Sequence, residues 1–181
     1  MALQKVVQEL KNYLTDSMQG VHTALPGKIV SFNAKACEAD VLPSGKFKKP
    51  DGTFIDFPKI PGVPVYFPQG AGQGAVIAFP VMDGDECLLV FTEQALDTWR
   101  TGAESNTDLR FDLTNAVALV GLFSKACPLV KEACDSGSII VESGGERIQI
   151  KGGEINIRCS GNVNLTAGGS VNLKAPAVNL N

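Results

Sequence analysis

The end of the chain repeats an apolar–polar–apolar triplet, and this repeat restricts the possible folds more than any other feature of the sequence. The triplets begin at residues 148, 155, 163, 171 and 178, so they are spaced by 7, 8, 8 and 7 residues. Turn-forming residues lie between them, which makes each unit one very short strand followed by a tight turn. The apolar members are Ile148, Ile150, Ile155, Ile157, Val163, Leu165, Val171, Leu173, Val178 and Leu180.

Because side chains alternate across a strand, both apolar members of a triplet face one side and the central Gln or Asn faces the other. Strands this short cannot enclose a core alone, so several copies must close around a common axis. The pattern favours an intertwined homotrimeric β-helix over residues 138–181, with these apolar residues as the trimer core. The alternatives are a single-chain β-solenoid, which usually needs about 20 residues or more per coil, and an ice- or sugar-binding face formed by the Asn row.

Residues 21–123 have a different texture, with short apolar runs separated by Gly, Pro, Asn and Asp. Such runs predict an antiparallel barrel, and their number and length fit a five-stranded OB-type barrel better than a seven-stranded immunoglobulin sandwich. Residues 75–91 predict a hairpin that turns at 83–85, and residues 69–74 predict a glycine turn. The lysine-rich run at 46–49 is interpreted as a solvated loop.

The first 20 residues predict a short helix, because four of their apolar residues are spaced alternately by four and three positions. A fifth follows four positions later. These residues are Leu3, Val7, Leu10, Leu14 and Met18. Either the helix docks on the following domain, or its stripe packs against copies of itself. Residues 124–137 lack strong periodicity and are interpreted as a connector between barrel and tail.

Composition and charge argue against several classes of function. A net charge of −3 and 16 dispersed Lys and Arg residues argue against a nucleic-acid partner. No apolar run approaches the roughly 18 residues of a membrane helix, and no signal core opens the chain, so we expect synthesis in the cytoplasm without signal export. Five scattered cysteines without a CxxC pair predict unpaired thiols, with a bridge between Cys127 and Cys134 as the alternative.

Motifs for covalent chemistry are missing from the sequence. His22 is the single histidine, and its place at the junction of helix and barrel favours a local cap or packing role. A nucleophile elbow of the GxSxG type is not present, and the acids at 83–86 are too few for a calcium loop. We therefore predict no catalytic, cofactor or metal residues, and a mechanical or assembly role instead of an enzyme.

With these parts in order, the chain resembles the central spike, or membrane-piercing, proteins at the tip of contractile phage tails. The resemblance depends on Leu-Pro-Gly at 25–27, Pro-Val-x-Asp-Gly-Asp-Glu at 80–86, Leu-Asp-x-Trp-x-x-Gly at 96–102 and the stretch 109–123, followed by the repetitive tail. It implies an OB-fold seated on the tail tube or baseplate hub protein and a trimeric β-helix that is driven through the host outer membrane. Alternatives are a VgrG-like secretion-system spike and a cell-surface-binding tail-tip module.

Two departures from this family pattern matter. Relatives tend to carry His before the Asp of the matching stretch, whereas this chain has Phe111 before Asp112, which suggests a packing role. Many such spikes also end in an apex where His-x-His pairs bind one iron, but this chain has no histidine after His22. The apex iron site is thus not encoded within residues 1–181. Either the natural chain continues beyond Asn181, or a separate PAAR-like cap covers the rod.

Overall fold

A computed structural model describes residues 2–19, 21–49, 51–102 and 109–179 of the chain. The chain divides into two compact units, Met1–Ser124 and Lys125–Asn181. Within the described ranges, none of the helices is both long enough and apolar enough to cross a membrane.

Three α-helices and twelve β-strands form in the described ranges. The helices are α1 (Ala2–Gln19), α2 (Leu96–Thr101) and α3 (Pro128–Ser136). The strands of the first unit are β1 (Ala24–Asn33), β2 (Glu38–Pro43), β3 (Lys46–Lys48), β4 (Phe54–Asp56), β5 (Ile60–Pro64), β6 (Gln69–Gly70), β7 (Ala75–Val76), β8 (Glu86–Phe91) and β9 (Ala116–Val120). The strands of the second unit are β10 (Ile139–Ser143), β11 (Glu146–Lys151) and β12 (Glu154–Arg158).

Five strands of the first unit form one curled antiparallel sheet in the order β5, β2, β1, β8, β9. The central strand β1 pairs on both sides, so that Gly27 lies opposite Pro43 of β2 and Cys87 of β8. The register between β1 and β2 shifts between Ile29 and Ser31. Such a bulge bends a strand and increases its twist, which helps the sheet to curl.

The two outer strands of this sheet approach each other. Val65, directly after β5, forms a parallel bridge with Ala118 of β9. The Tyr66 amide donates to the Ala118 carbonyl at 2.9 Å. The first unit is therefore a half-barrel, and the prediction of a mostly β fold with a short N-terminal helix is confirmed.

The concave side of the curled sheet holds the hydrophobic core of the first unit. Strands β2 and β8 bury every second residue, as expected for strands with one face turned inward. Val41 and Leu89 are 0% exposed. The buried cluster consists of Ile29, Ala39, Val41, Ile60, Val63, Val65, Val81, Cys87, Leu89, Phe91, Ala116 and Ala118.

Two local predictions in this unit are wrong, although a third is confirmed. A turn does form around Gly84, but β7 pairs with β6 and β8 pairs with β1 and β9, so residues 75–91 are not a hairpin. The lysine-rich run is not a loop either: β3 pairs with β4, and the Phe47 ring lies 6.3 Å from that of Phe57. Residues 69–74 do form a glycine-rich turn, which joins β6 to β7.

The second unit begins with a helix where the sequence indicated only a connector. Pro128 occupies the first turn of α3, and Gly137 follows its last residue in the left-handed conformation, with φ of 58°. Both are residues that favour helix ends. After α3, strands β10, β11 and β12 form an antiparallel meander. Residues 159–179 form no strand within the single chain, so the predicted trimeric β-helix is not shown by this structure.

Candidate assembly interface

One face of the three-stranded meander is entirely apolar at its centre. Strand pairing places Ile150 between Ile139 and Ile155 in one row. In a second row it places Ile148 between Val141 and Ile157. Since alternate side chains share a face, the two rows lie on the same side of the sheet. We call this surface the apolar tail face; it consists of Ile139, Val141, Ile148, Ile150, Ile155 and Ile157.

The apolar tail face is uncovered in the single chain. The exposed fraction of its side chains ranges from 43% at Ile148 to 70% at Ile155. All six residues are β-branched, and they form contiguous rows instead of isolated apolar positions. Contiguous exposed apolar surface of this kind marks a site of interaction.

The opposite face of the meander is mainly polar, with Ile140 as an apolar exception, and is partly covered by α3. The Arg147 guanidinium, 19% exposed, bridges Glu132 of α3 at 2.5 Å and Glu142 of β10 at 2.6 Å. These bonds raise the pKa of Arg147 and lower the pKa of Glu132. The Gln149 side chain donates to the Ser138 hydroxyl at 3.0 Å. Helix α3 therefore lies against the opposite side of the sheet and leaves the apolar tail face exposed.

The later triplets also expose their apolar side chains. The exposed fractions of Val163 and Val178 are 57% and 51%, and those of Leu165 and Leu173 exceed 70%. Val171 is 55% exposed. The predicted core residue Leu180 lies outside the described residues. The structure therefore brings the first two triplets together in one sheet and leaves the later described triplets without strand partners in their own chain.

Two residues of the apolar tail face were missed in the sequence. Ile139 and Val141 have the same alternate spacing as the triplets, but the residue between them is Ile140 and not Asn or Gln. Ile140 lies on the α3 side and is half-buried. The alternate spacing of Ile139 and Val141 was the available signal, but the apolar residue between them, Ile140, concealed it.

Helix α1 presents a second uncovered apolar surface. The exposed fraction of its stripe residues ranges from 45% at Val7 to 78% at Leu3. Val6 and Tyr13 extend the stripe along one side, at 59% and 69% exposed. In the described part of the chain, the stripe is thus not buried against the barrel. The alternative in which the helix docks on the following domain required such burial.

His22, the single histidine, lies against two aromatic rings of the barrel. The His22 ring lies 5.9 Å from Phe57 and 5.7 Å from Phe91. Phe111 is half-buried with φ of 52°, and its carbonyl accepts from the His22 amide at 3.0 Å. Hydrogen bonds from Thr114, and to a lesser extent the His22 charge, hold the pKa of the neighbouring carboxyl, Asp112, below its usual value.

Among the described residues there is no group of three or more His, Cys, Asp and Glu side chains that could hold a metal ion. The cysteines are free thiols, so the alternative bridge between Cys127 and Cys134 does not form. Burial raises the pKa of the Cys87 thiol to about 11. The main candidate surfaces of this chain are therefore the apolar tail face and the α1 stripe.

Comparison with known proteins identifies the first unit. The model of the phage protein Gp138 N-terminal domain matches residues 25–121. The matched segment runs from β1 through β9, which is the whole curled sheet. None of the curated proteins matches the chain. Since the match extends over more than half of the sequence, the chain belongs to the Gp138 N-terminal domain family of phage proteins.

Proposed function

We propose that the protein is the structural spike at the tip of a contractile phage tail or tail-like particle, and that it pierces the host outer membrane mechanically. Its family supports a structural, virion-associated role in a phage. The spike role depends on the repetitive tail, and the observation that carries it is the uncovered apolar tail face. We propose that this face and the later triplets become the core of a homotrimer.

Burial of the apolar tail face would contribute substantially to the free energy of association. Its six side chains are on average somewhat more than half exposed, and full burial of one such side chain is worth about 1.5–3 kcal/mol. Covering the face would therefore gain at most about 5–10 kcal/mol per chain. Association itself costs about 4–15 kcal/mol. The tail face can offset much of this cost, and the later triplets add to the gain.

Three chains account for the geometry better than one. In the described residues the segment after β12 has no strand partner of its own, and a three-residue strand needs neighbours on both edges. Copies of the segment would provide those edges if the chains wound around one axis. A rod built in this way resists axial load, because no chain can separate without losing its pairing to two neighbours.

The fold of the first unit supports the proposal that it binds the tail tube or baseplate hub protein. Its strand order, with outer strands joined by a parallel bridge, fits a five-stranded, partly open Greek-key barrel of the OB type. We propose that this barrel docks the spike on the tube and that the protein performs no covalent chemistry. The phage family favours a tail particle over a secretion-system spike.

The solution mass of the full chain tests the trimer. We expect a particle of three chains of 19.1 kDa each, measured by analytical ultracentrifugation. Ile157→Asp places three like charges on the proposed axis and should abolish the trimer. Asn156→Asp is the matched control, because it adds the same charge one residue away on the opposite face of β12 and should leave the trimer intact.

A second pair of variants controls for the possibility that Ile157→Asp prevents trimer formation only by misfolding the meander. Val163 lies outside the strands of the single chain, so Val163→Asp should not disturb the meander, yet it should still prevent trimer formation. Asn164→Asp is its control. A soluble Ile157→Asp or Val163→Asp protein that remains fully trimeric would count against the proposed spike core.

A further inference from the structure

Helix α1 needs a partner that the described part of its own chain does not supply. Leu10 and Leu14, in the middle of the stripe, are 57% and 54% exposed. An isolated helix of this length, without an alanine-rich sequence, is only marginally stable in water, since most helices in proteins depend on packing of their apolar face. The stripe therefore needs another apolar surface to pack against.

From Leu3 to Leu14 the stripe follows a heptad with three apolar positions in every seven; beyond it, Ser17 falls at d and Met18 at e. With Val7 and Leu14 at position a, Leu3 and Leu10 fall at d, and the adjoining g positions hold Val6 and Tyr13. This stripe is wider than the two-position seam of a simple coiled-coil pair. A helix that contacts two neighbours at once needs such a width.

The polar residues of α1 agree with this register. Lys5 pairs with Glu9 at 3.9 Å, and the Gln8 side chain donates to Asn12 at 3.0 Å. All four fall at positions b, c and f, which face away from the seam. The helix polar face is not rich in Lys and Arg, as a helix lying on a membrane surface would be.

The positions that flank the seam carry no repulsive pair. In a parallel coil, an e residue of one helix faces a g residue of its neighbour. Within α1, position e holds Gln4, Lys11 and Met18, and position g holds Val6 and Tyr13. The Lys11 stem would therefore cover Val6 of the next helix, and no lysine would face another. Copies of α1 are complementary to one another in parallel.

We propose that α1 forms a parallel three-stranded coiled coil with the α1 helices of two further copies of the chain. This inference rests on the trimer of the proposed function, because the tail provides the three copies. It adds a second interface, which precedes the barrel in chain order and contains no tail residue; at 18 residues, the coil depends on the tail to hold the three copies together. The expected occupant of the stripe is thus the same helix in the neighbouring chains.

Amide hydrogen exchange in the full chain, read by mass spectrometry over residues 6–18, tests the proposal. In the wild-type trimer these amides should be protected. Leu10→Asp should speed their exchange at least about tenfold while the tail keeps the protein trimeric. Gln8→Asp is the matched control, because it introduces the same charge at an outward position, and it should retain wild-type protection.

The outcomes separate the coil from the spike. A trimeric wild-type protein whose α1 amides exchange as fast as those of Leu10→Asp overturns the coil and leaves the spike standing; a tube or hub protein would then be the occupant to seek. If Ile157→Asp is monomeric and still protects α1, the helix is covered by its own chain and the coil is also overturned. A monomeric wild-type protein overturns both proposals.

Discussion

Gly27→Ala should destabilise the half-barrel, because a methyl group has no room at this position. The residue is buried in the central strand β1. An added Cβ would lie 2.9 Å from Val41 Cγ1, 3.3 Å from the Leu42 carbonyl oxygen and 3.4 Å from Leu89 Cδ1. Val41 and Leu89 are each 0% exposed, so neither can move aside into solvent. The clash must be relieved inside a packed core.

The size of the effect follows from two opposing contributions. Inserting one methyl group into a packed core costs about 1–3 kcal/mol. Alanine recovers part of this cost, about 0.4–1 kcal/mol, by reducing the freedom of the unfolded chain. The expected net loss of unfolding free energy is therefore about 1–2 kcal/mol. Val41→Ala removes the nearest clashing atom, so the double variant should lose less stability than the sum of the two single variants.

The Cys87 thiol supplies a readout confined to the barrel. It is 0% exposed in the folded chain, so thiol labelling of Cys87 across a urea series, located by peptide mass, reports opening of the barrel whatever the tail does. Gly70→Ala is the control, since its backbone is extended and no described atom lies within 4 Å of the added Cβ. An unchanged labelling midpoint for Gly27→Ala, or a strictly additive cycle with Val41→Ala, would refute the packing explanation.

Three further variants test particular contacts. Asn115→Ala should lower the unfolding free energy of the barrel in urea by about 1–3 kcal/mol, because the buried amide donates to the Leu109 carbonyl at 2.6 Å; full stability would show that this bond is dispensable. Hydrogen bonds from Thr114 lower the pKa of Asp112, so the carboxylate stabilises the barrel above its unfolded pKa, and this stability is lost as pH falls through the lower folded value. Acid unfolding curves should therefore decline below about pH 4, and Asp112→Asn should flatten the decline. Arg147→Gln should increase amide exchange across α3, because it removes the ion pairs that join the helix to the meander; unchanged exchange would contradict that role.

The parts of the fold that the sequence predicts well are those set by local apolar patterns. Strand β8 buries Cys87, Leu89 and Phe91 and turns the residues between them outward. Its apolar run, Cys87 to Phe91, follows a turn signal at Gly84 and so predicts a short strand without knowledge of its partner. The heptad-like stripe of α1 predicts its helix for the same reason. In both cases the information lies within the element itself.

Pairing between distant strands is the part that the sequence does not reveal. Strand β8 follows a turn at Gly84, and that turn suggested a hairpin with the apolar run before it. The observed partner is β1, far earlier in the chain, and the Gly84 amide itself donates to the Ile29 carbonyl at 2.8 Å. A turn fixes the direction of the chain but not the identity of the strand beside it, which depends on closure of the whole sheet.

Two shorter elements were missed although their signals were present. Helix α3 has Pro128 in its first turn and Gly137 just past its end, an asymmetry typical of helices, but the weak apolar period between them concealed it. Strand β3 alternates two lysines with Phe47, which lies near Phe57. There the lysines suggested a solvated loop, whereas the alternation was the informative pattern.

The distribution of buried residues separates the part of the chain that packs by itself from the parts that would be completed by assembly in the proposed spike. The half-barrel places Val41, Cys87, Leu89 and Ala118 at 0% exposed within a single chain, so its core needs no partner. The apolar tail face and the α1 stripe show the reverse, since their apolar residues remain near half exposed or more. In the proposed spike, subunit assembly would therefore be coupled to the folding of the tail and α1 but not to that of the barrel. A barrel that folds before assembly could seat on its tube while the rod is still forming.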